Sequence, residues 1–431
     1  MVQYGCPDGA PGLREAGPPP SHSCSKVTIM PSPIPQIDTD VLTVVDLVRR
    51  GRASTRQQLA QMTGMGRNTI SSLLNTAVAL GLIAPNGSGP STGGRAPATW
   101  RFRQEDGLVL VAGVHSSTLR LAVTDLGGAP VECRTLPWSI TRGPAPTLAE
   151  AAARLRDMVG PLDRPVWAAG ASLPGPIDQE SGRPTAPPIM PGWDGFDVVA
   201  VMEEALGVPA VTSNDVNTML LGHAVTLQDQ AHRRPRDILY LQVGTGIGAG
   251  LMSNGLLHRG ADGAAGDIGH VRVTGNDAVV CRCGRTGCLE AVAGGWAVMR
   301  DARRAGAEGT SPFLRERLAG SGDLTIDDVV AGVTAGDTEC VTLMVRSATA
   351  VGDALAMIVS FFNPGRVVLA GPMPQGCPLF LQVARRIVDE RALALATHDL
   401  ELVPAEDSLD DEMRGTAILA VNALFDRAAR R

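Results

Sequence analysis

Apolar residues recur with helical spacing over the first ordered-looking part of the chain. "DVLTVVDLVRR" places Val41, Leu42, Val44, Val45 and Val48 on one face, and Gly51 follows as a stop. "STRQQLAQM" opens a second helix, with Ser54 and Gln57 spaced as a capping box. After the tight turn "TGMG", "RNTISSLLNTAVALGLI" puts Ile70, Leu73, Leu74, Ala77 and Val78 on one stripe. The opposite face carries Arg67, Asn68, Ser71, Ser72 and Asn75. "APNGSGPSTGGRAPATWRF" then sets turn residues between two potential strands, which suits a β-wing. Three helices and a wing predict a winged helix-turn-helix over 38–103, with residues 66–80 as its recognition helix.

From residue 107 the pattern changes. "GLVLVAGVHSSTLRLAVTDLGG" predicts a two-stranded hairpin, followed by a helix over "APTLAEAAARLRDMVG" and a strand at "PVWAAGASL". "DILYLQVGTGIGAGLMSNGLLHRG" opens a second unit of the same kind, and the chain ends with strand "GRVVLAG" and two amphipathic helices. Two halves that each open with a glycine-bearing hairpin predict a duplicated α/β fold over 107–431, with a cleft between its lobes. Residues 1–37, with "GPPPSHS" and "MPSPIPQ", have the composition of a disordered leader, and Met30 is a second candidate start.

The chain has 431 residues, enough for two or three domains. Aromatics are only 3%, so Ala, Val, Leu and Ile must build the core. There is no run of 18 apolar residues and no basic-then-apolar leader, so the expectation is a cytoplasmic protein without a membrane segment. The net charge of -6 gives no hint of nucleic acid, but the average hides an asymmetry. Between Val41 and Arg103 stand eight arginines (49, 50, 52, 56, 67, 95, 101, 103) against the single acid Asp46. That excess is the electrostatic footprint of phosphate contact. Arg67, Asn68, Ser71, Ser72 and Asn75 are the candidate base-reading residues of the major groove, and Arg95 in the wing is a candidate for a minor groove. The competing interpretation is a small helical protein-interaction module with solvated arginines.

"GDIGHVRVTGNDAVVCRCGRTGCLE" concentrates three of the eight cysteines beside a histidine: His270, ten residues, Cys281, one residue, Cys283, four residues, Cys288. Thiolates and imidazole are the ligands of tetrahedral zinc, and a Cys₃His set fills all four positions. A filled shell leaves no place for a reacting water, so the expected zinc is structural. Buried free cysteines beside a core histidine are the alternative.

These stretches resemble the ROK family (repressors, open reading frames and sugar kinases). "GAAGDIGHVRV" and "CRCGRTGCLEAVAGG" are similar to its Glu-x-Gly-His and Cys-x-Cys-Gly-x-x-Gly-Cys segments. "SLPGPIDQESGRPTAPPIMPGWDGFDV", "SNDVNTMLLGHAV" and "GTGIGAGLMSNGLLHRGADGAAG" resemble its Pro-Gly-Pro, Asn-Asp-x-Asn and second phosphate-loop segments. The resemblance spans roughly residues 40–430 and implies an actin-like (ribonuclease H-like), two-lobed domain with a sugar in the cleft. It assigns Asn214, Asp215, Asp267, His270 and Glu290 to the sugar, and His270 would serve zinc through one ring nitrogen and the sugar through the other. Asp267 stands where the family usually has Glu, one methylene shorter. For Asn214 and Asp215 a plain helix cap is the alternative.

The resemblance also divides kinase from regulator. Family kinases carry Asp-x-Gly-Gly-Thr in the first hairpin, and here His115, Ser116 and Ser117 stand in its place. Imidazole is a poor substitute for a carboxylate toward magnesium. Gly244, Thr245 and Gly246 of the second loop survive, either as half a nucleotide cradle or as glycines that a tight hairpin needs. Asp215 would be the general base if the chain were a kinase. "LAGPMPQGCP" has prolines where the family favours a glycine-rich turn. The resulting expectation is a transcription regulator, a repressor without kinase activity, that binds a double-stranded DNA operator. It takes a sugar or sugar-derived effector and assembles as a homodimer or tetramer. A sugar kinase, bifunctional or not, is the second reading, and a regulator that senses another molecule is the third.

Overall fold

The computed structural model describes residue 34 and residues 37–89, 96–230, 236–275 and 279–429. Arg95, and the expected leader apart from positions 34 and 37, lie outside the described residues. The chain divides into two compact units. One gathers the residues up to Ser172, Asp197–Thr212 and the residues from Thr416; the other gathers Leu173–Phe196 and Ser213–Gly415.

The first unit opens with α1 (Thr39–Arg49), α2 (Arg56–Thr63) and α3 (Arg67–Ala79). Val41, Leu42, Val44, Val45 and Val48 of α1 are all buried, as the periodicity predicts. The capping box of α2 sits one residue later than expected, on Thr55 and Gln58. The cause is tertiary: the Ser54 carbonyl accepts the Trp100 N–H, and Thr55 bridges Thr99, so the chain is still extended at Ser54. On α3, Ile70, Leu74 and Ala77 are buried, whereas Leu73 is half-buried and Val78 is 39% exposed. The stripe is narrower than the sequence suggests. Position 78 lies about 100° around the helix from Ala77, outside the covered arc.

The wing is a pair of antiparallel strands, β1 (Ile83–Ser88) and β2 (Ala98–Phe102), with Ile83 opposite Phe102. There follow β3 (Leu108–Val114), β4 (Thr118–Asp125), β5 (Pro130–Pro137), α4 (Pro144–Val159), β6 (Val166–Leu173), α5 (Val198–Leu206) and β7 (Ala210–Asn214). The five strands form a sheet in the order β5-β4-β3-β6-β7. β3 and β6 are buried along their whole length, which explains their unbroken apolar sequence.

The second unit contains α6 (Asp215–Gln230), β8 (Ile238–Val243), β9 (Ile247–Ser253), β10 (Leu256–His258), α7 (Leu289–Ala293), α8 (Gly295–Glu308), α9 (Pro312–Ser321) and α10 (Ile326–Thr334). It continues with α11 (Thr338–Phe362), β11 (Arg366–Ala370), α12 (Pro372–Gly376), α13 (Pro378–Arg391), α14 (Ala394–Thr397) and β12 (Glu401–Pro404). The last helix, α15 (Ser408–Ala429), begins here, and its residues from Thr416 belong to the first unit. The sheet order β10-β9-β8-β11-β12 repeats the plan of the first sheet, so the fold is the duplicated α/β architecture that the two hairpins predict. Pro372 and Pro378 of "LAGPMPQGCP" open α12 and α13, and the Gln375 side chain accepts the Gly371 N–H at 2.8 Å. α11 is long and apolar enough to cross a membrane, although no run of 18 apolar residues marks it in the sequence. Its apolar face is spent in the core of this unit, with Leu343, Met344, Val351, Leu355 and Val359 buried against Phe380, Ala384 and Ile387 of α13.

Candidate functional site

The strand β9 is the common support of the second unit's candidate residues. Gly248 and Gly250 bring it against Val216 and Leu220 of α6, where a Cβ would stand 3.0–3.2 Å from their atoms. On the loop 259–272, Gly266 and Gly269 press against the carbonyls of Ala249 and Ile247, where a Cβ would fall about 2 Å from oxygen. Asn214 and Asp215 at the start of α6, and Asp267 and His270 beside β9, are therefore brought to one strand. Glu290 joins them: its Oε2 accepts the Ile247 N–H at 3.1 Å.

The individual side chains have different work. Asn214 caps α6. Its Oδ1 accepts the N–H groups of Val216 (3.0 Å) and Asn217 (3.2 Å), and its Nδ2 donates to the Gly175 carbonyl at 3.1 Å. That is the cap weighed in the sequence as the alternative to a sugar contact. Asp215 is half-buried and accepts the Val216 N–H at 2.9 Å. Asp267 is exposed. Glu290 is 8% exposed and both its oxygens are engaged, Oε2 by Ile247 and Oε1 by the Trp296 indole N–H at 3.2 Å. Trp296 was not among the residues singled out in the sequence. Its only signal there is its position, eight residues beyond Cys288 and directly after "GG".

Gly244, Thr245 and Gly246 form the turn between β8 and β9. The Gly244 and Thr245 carbonyls accept the N–H groups of Gly295 (2.8 Å) and Trp296 (3.1 Å) at the start of α8. A Cβ on Gly246 would fall 2.4 Å from Glu290 Oε2. A side chain at this position would displace the Glu290 carboxylate. In the first unit, His115, Ser116 and Ser117 turn β3 into β4, with the His115 N–H donated to the Thr118 carbonyl at 2.9 Å. The Ser116 and Ser117 carbonyls accept from Ile140 (3.2 Å) and Trp138 (3.0 Å).

His270, Cys281, Cys283 and Cys288 converge, with one ligand atom from each lying within 4.8 Å of all the others. His270 Nδ1 and Cys281 Sγ are 3.7 Å apart, and Cys283 Sγ and Cys288 Sγ are 3.8 Å apart. A tetrahedral zinc with ordinary bond lengths separates two sulfurs by about 3.8 Å and a sulfur from a nitrogen by about 3.6 Å. The donor set and its spacing fit the metal. Burial pushes the Cys281 thiol up to about 12, so without a cation this sulfur stays protonated. The Nδ1 atom faces the thiols, which leaves Nε2 as the other ring nitrogen.

On the first unit, α3 starts after Gly66, and no side chain caps it. Arg67, Asn68, Ser72 and Asn75 are exposed, and Ser71 is half-buried with its hydroxyl donated to the Arg67 carbonyl at 2.7 Å. The eight arginines of the sequence do not share one role. The Arg49 side chain is 9% exposed and binds Asp46 (2.6 Å) and Asn422 (2.8 Å), with its guanidinium 4.8 Å from the Phe425 ring. Burial lowers its pKa, against the pull of Asp46. Arg50 bridges Asp46 (2.7 Å) and Asp426 (3.1 Å). Arg101 pairs with Glu105 and Arg103 with Asp106. Arg52, Arg56 and Arg67 are exposed and make no ion pair among the described residues.

Three helices and a two-stranded wing precede two α/β sheets of one plan, and the second unit carries a Cys₃His cluster. The ROK family model matches residues 112–423, and the chain belongs to the ROK family. It is 24% identical to the xylose repressor of Bacillus subtilis (strain 168), over 86% of this chain and 92% of that protein. It is 32% identical to the glucokinase of Thermotoga maritima, over 51% of this chain and 68% of that one. Among solved structures, a ROK family transcriptional regulator, a homologue of the E. coli MLC protein, superposes with a TM-score of 0.74. That match is 22% identical and covers 92% of this chain and 98% of the other.

Proposed function

We propose that the chain is a DNA-binding transcription regulator of the ROK family, a repressor, whose operator affinity is set by a sugar or sugar-derived effector. The observation that carries this reading is the coverage. The match to the xylose repressor covers 86% of this chain, more than residues 107–431 alone could supply, whereas the glucokinase match covers 51%. Arg67, Asn68, Ser71, Ser72 and Asn75 read base edges, Arg95 enters a minor groove, and Arg52 and Arg56 contact phosphate. Two copies of the module on a palindromic site make the working form a homodimer or a tetramer.

Asp215, Asp267, His270 and Glu290 hold the effector, and Asn214 supports them by fixing the start of α6. His270, Cys281, Cys283 and Cys288 hold a structural zinc, which when bound fixes the loop that carries His270. The chain does not phosphorylate sugar: His115 replaces the magnesium-holding carboxylate, and the carbonyls of Ser116 and Ser117 are committed to neighbouring N–H groups. Asp215 alone offers only a general base.

The test is selection of DNA fragments from the source genome on the purified full chain, then fluorescence anisotropy of the selected duplex with and without D-xylose or D-glucose. Specific retention of a palindromic fragment, weakened by one of the sugars, is expected. Equal affinity for selected and scrambled duplexes would overturn the reading.

A further inference from the structure

We infer that Trp296 is a positioning residue that couples the metal-binding loop to the effector-facing carboxylate of Glu290. Three separate contacts meet on this one side chain. Its indole N–H donates to Glu290 Oε1 at 3.2 Å. It packs, as Cys283 does, against the buried cluster of Cys281, Cys288 and Ala291, so it is part of the wall of the cysteine cluster. The guanidinium of Arg282, the residue between the first two cysteines, lies 4.9 Å from its centroid, and that of Arg300 lies at 5.4 Å. Its backbone N–H also holds the Thr245 carbonyl of the glycine turn at 3.1 Å.

The physical consequence follows from what Glu290 has left to offer. A carboxylate accepts at about four lone-pair positions. The Ile247 N–H and the Trp296 indole take one on each oxygen, which fixes the plane of the group and aims the remaining positions. Without the indole, the carboxylate is tethered at one oxygen and can rotate. Closing the cysteine cluster on a metal sets Arg282 and the cluster wall, and these hold the indole. Metal loading and effector binding therefore share one side chain that belongs to neither ligand set. This rests on the proposed effector role of Glu290, and the experiment separates the two.

The zinc-loaded full chain is labelled with ¹⁵N-tryptophan, and the Trp296 indole resonance is identified by its loss in W296F. It should shift in E290Q and again when a chelator removes the zinc. W296F keeps an aromatic ring against the cysteines, so it should retain its zinc. Its affinity for D-xylose or D-glucose, whichever the wild type binds, should fall by about tenfold, the size expected when one hydrogen bond to a charged group is lost. An indole resonance that ignores either E290Q or chelation overturns the inference, whether or not a sugar binds. So does W296F with wild-type sugar affinity. If the resonance shifts as expected and the wild type binds neither sugar, it is the effector reading under these two sugars that fails.

Discussion

The distribution of arginines gives a quantitative prediction about DNA. If all eight arginines between Val41 and Arg103 contacted phosphates, the slope of log affinity against log salt would be about −7 for each bound protomer, at about 0.9 per contact. The structure assigns Arg49 and Arg50 to Asp46 and the C-terminal helix, and Arg101 and Arg103 to Glu105 and Asp106. Arg52, Arg56 and Arg67 remain, for a slope of about −3, and Arg95 adds at most about one more unit. Between 50 and 200 mM salt the two cases differ sharply: about 40-fold loss of affinity for three contacts, about 2 × 10⁴-fold for eight. The assay is anisotropy of a labelled 12-base-pair duplex of arbitrary sequence, read at several salt concentrations and referred to one protomer by its stoichiometry. R56A and R67A should each make the slope shallower by about 0.9, and R49M should leave it unchanged. R49M is compared only after circular dichroism shows a folded chain, since its guanidinium is buried. A slope near −7, or R49M acting like R67A, would refute the assignment.

Four further outcomes follow from the α/β units. The purified chain should carry about one zinc, and C283S should lose it, both read by elemental analysis. Zinc binding must displace protons from the thiols, Cys281 above all because burial raises it to about 12. Affinity should therefore fall with acid, by up to about tenfold per thiol per pH unit, in a chelator competition at pH 6.5 and 8; an affinity independent of pH would count against thiolate ligation. N214A removes the cap of α6 and should cost about 1–2 kcal/mol of stability in denaturant unfolding even without sugar; unchanged stability would restore a purely ligand-facing role. A coupled assay with ATP, magnesium and hexoses should show no turnover, and a rate near 1 s⁻¹ or above, in the usual kinase range, would promote the kinase reading.

What the sequence determined by itself is short in range. Helical period placed α1 and α3, since a buried stripe depends on residues three and four apart, and a capping pattern, one residue early, placed α2. The spacing of His270, Cys281, Cys283 and Cys288 marked a metal-binding set because its last three ligands lie in one loop of eight residues. The repeated hairpins foretold two sheets of one plan. The tertiary structure decided where local patterns leave a side chain with several possible partners. Charge counting cannot see that Arg49 finds Asn422, 373 positions away, and so loses its access to phosphate. A resemblance cannot see that both oxygens of Glu290 are held, or that its carboxylate lies where a Cβ on Gly246 would stand. Capping shifted from Ser54 to Thr55 because β2 holds Ser54 extended, an interaction across 46 positions. In each case the deciding free energy is a hydrogen bond or a desolvation between groups far apart in sequence, and only the folded chain brings them together.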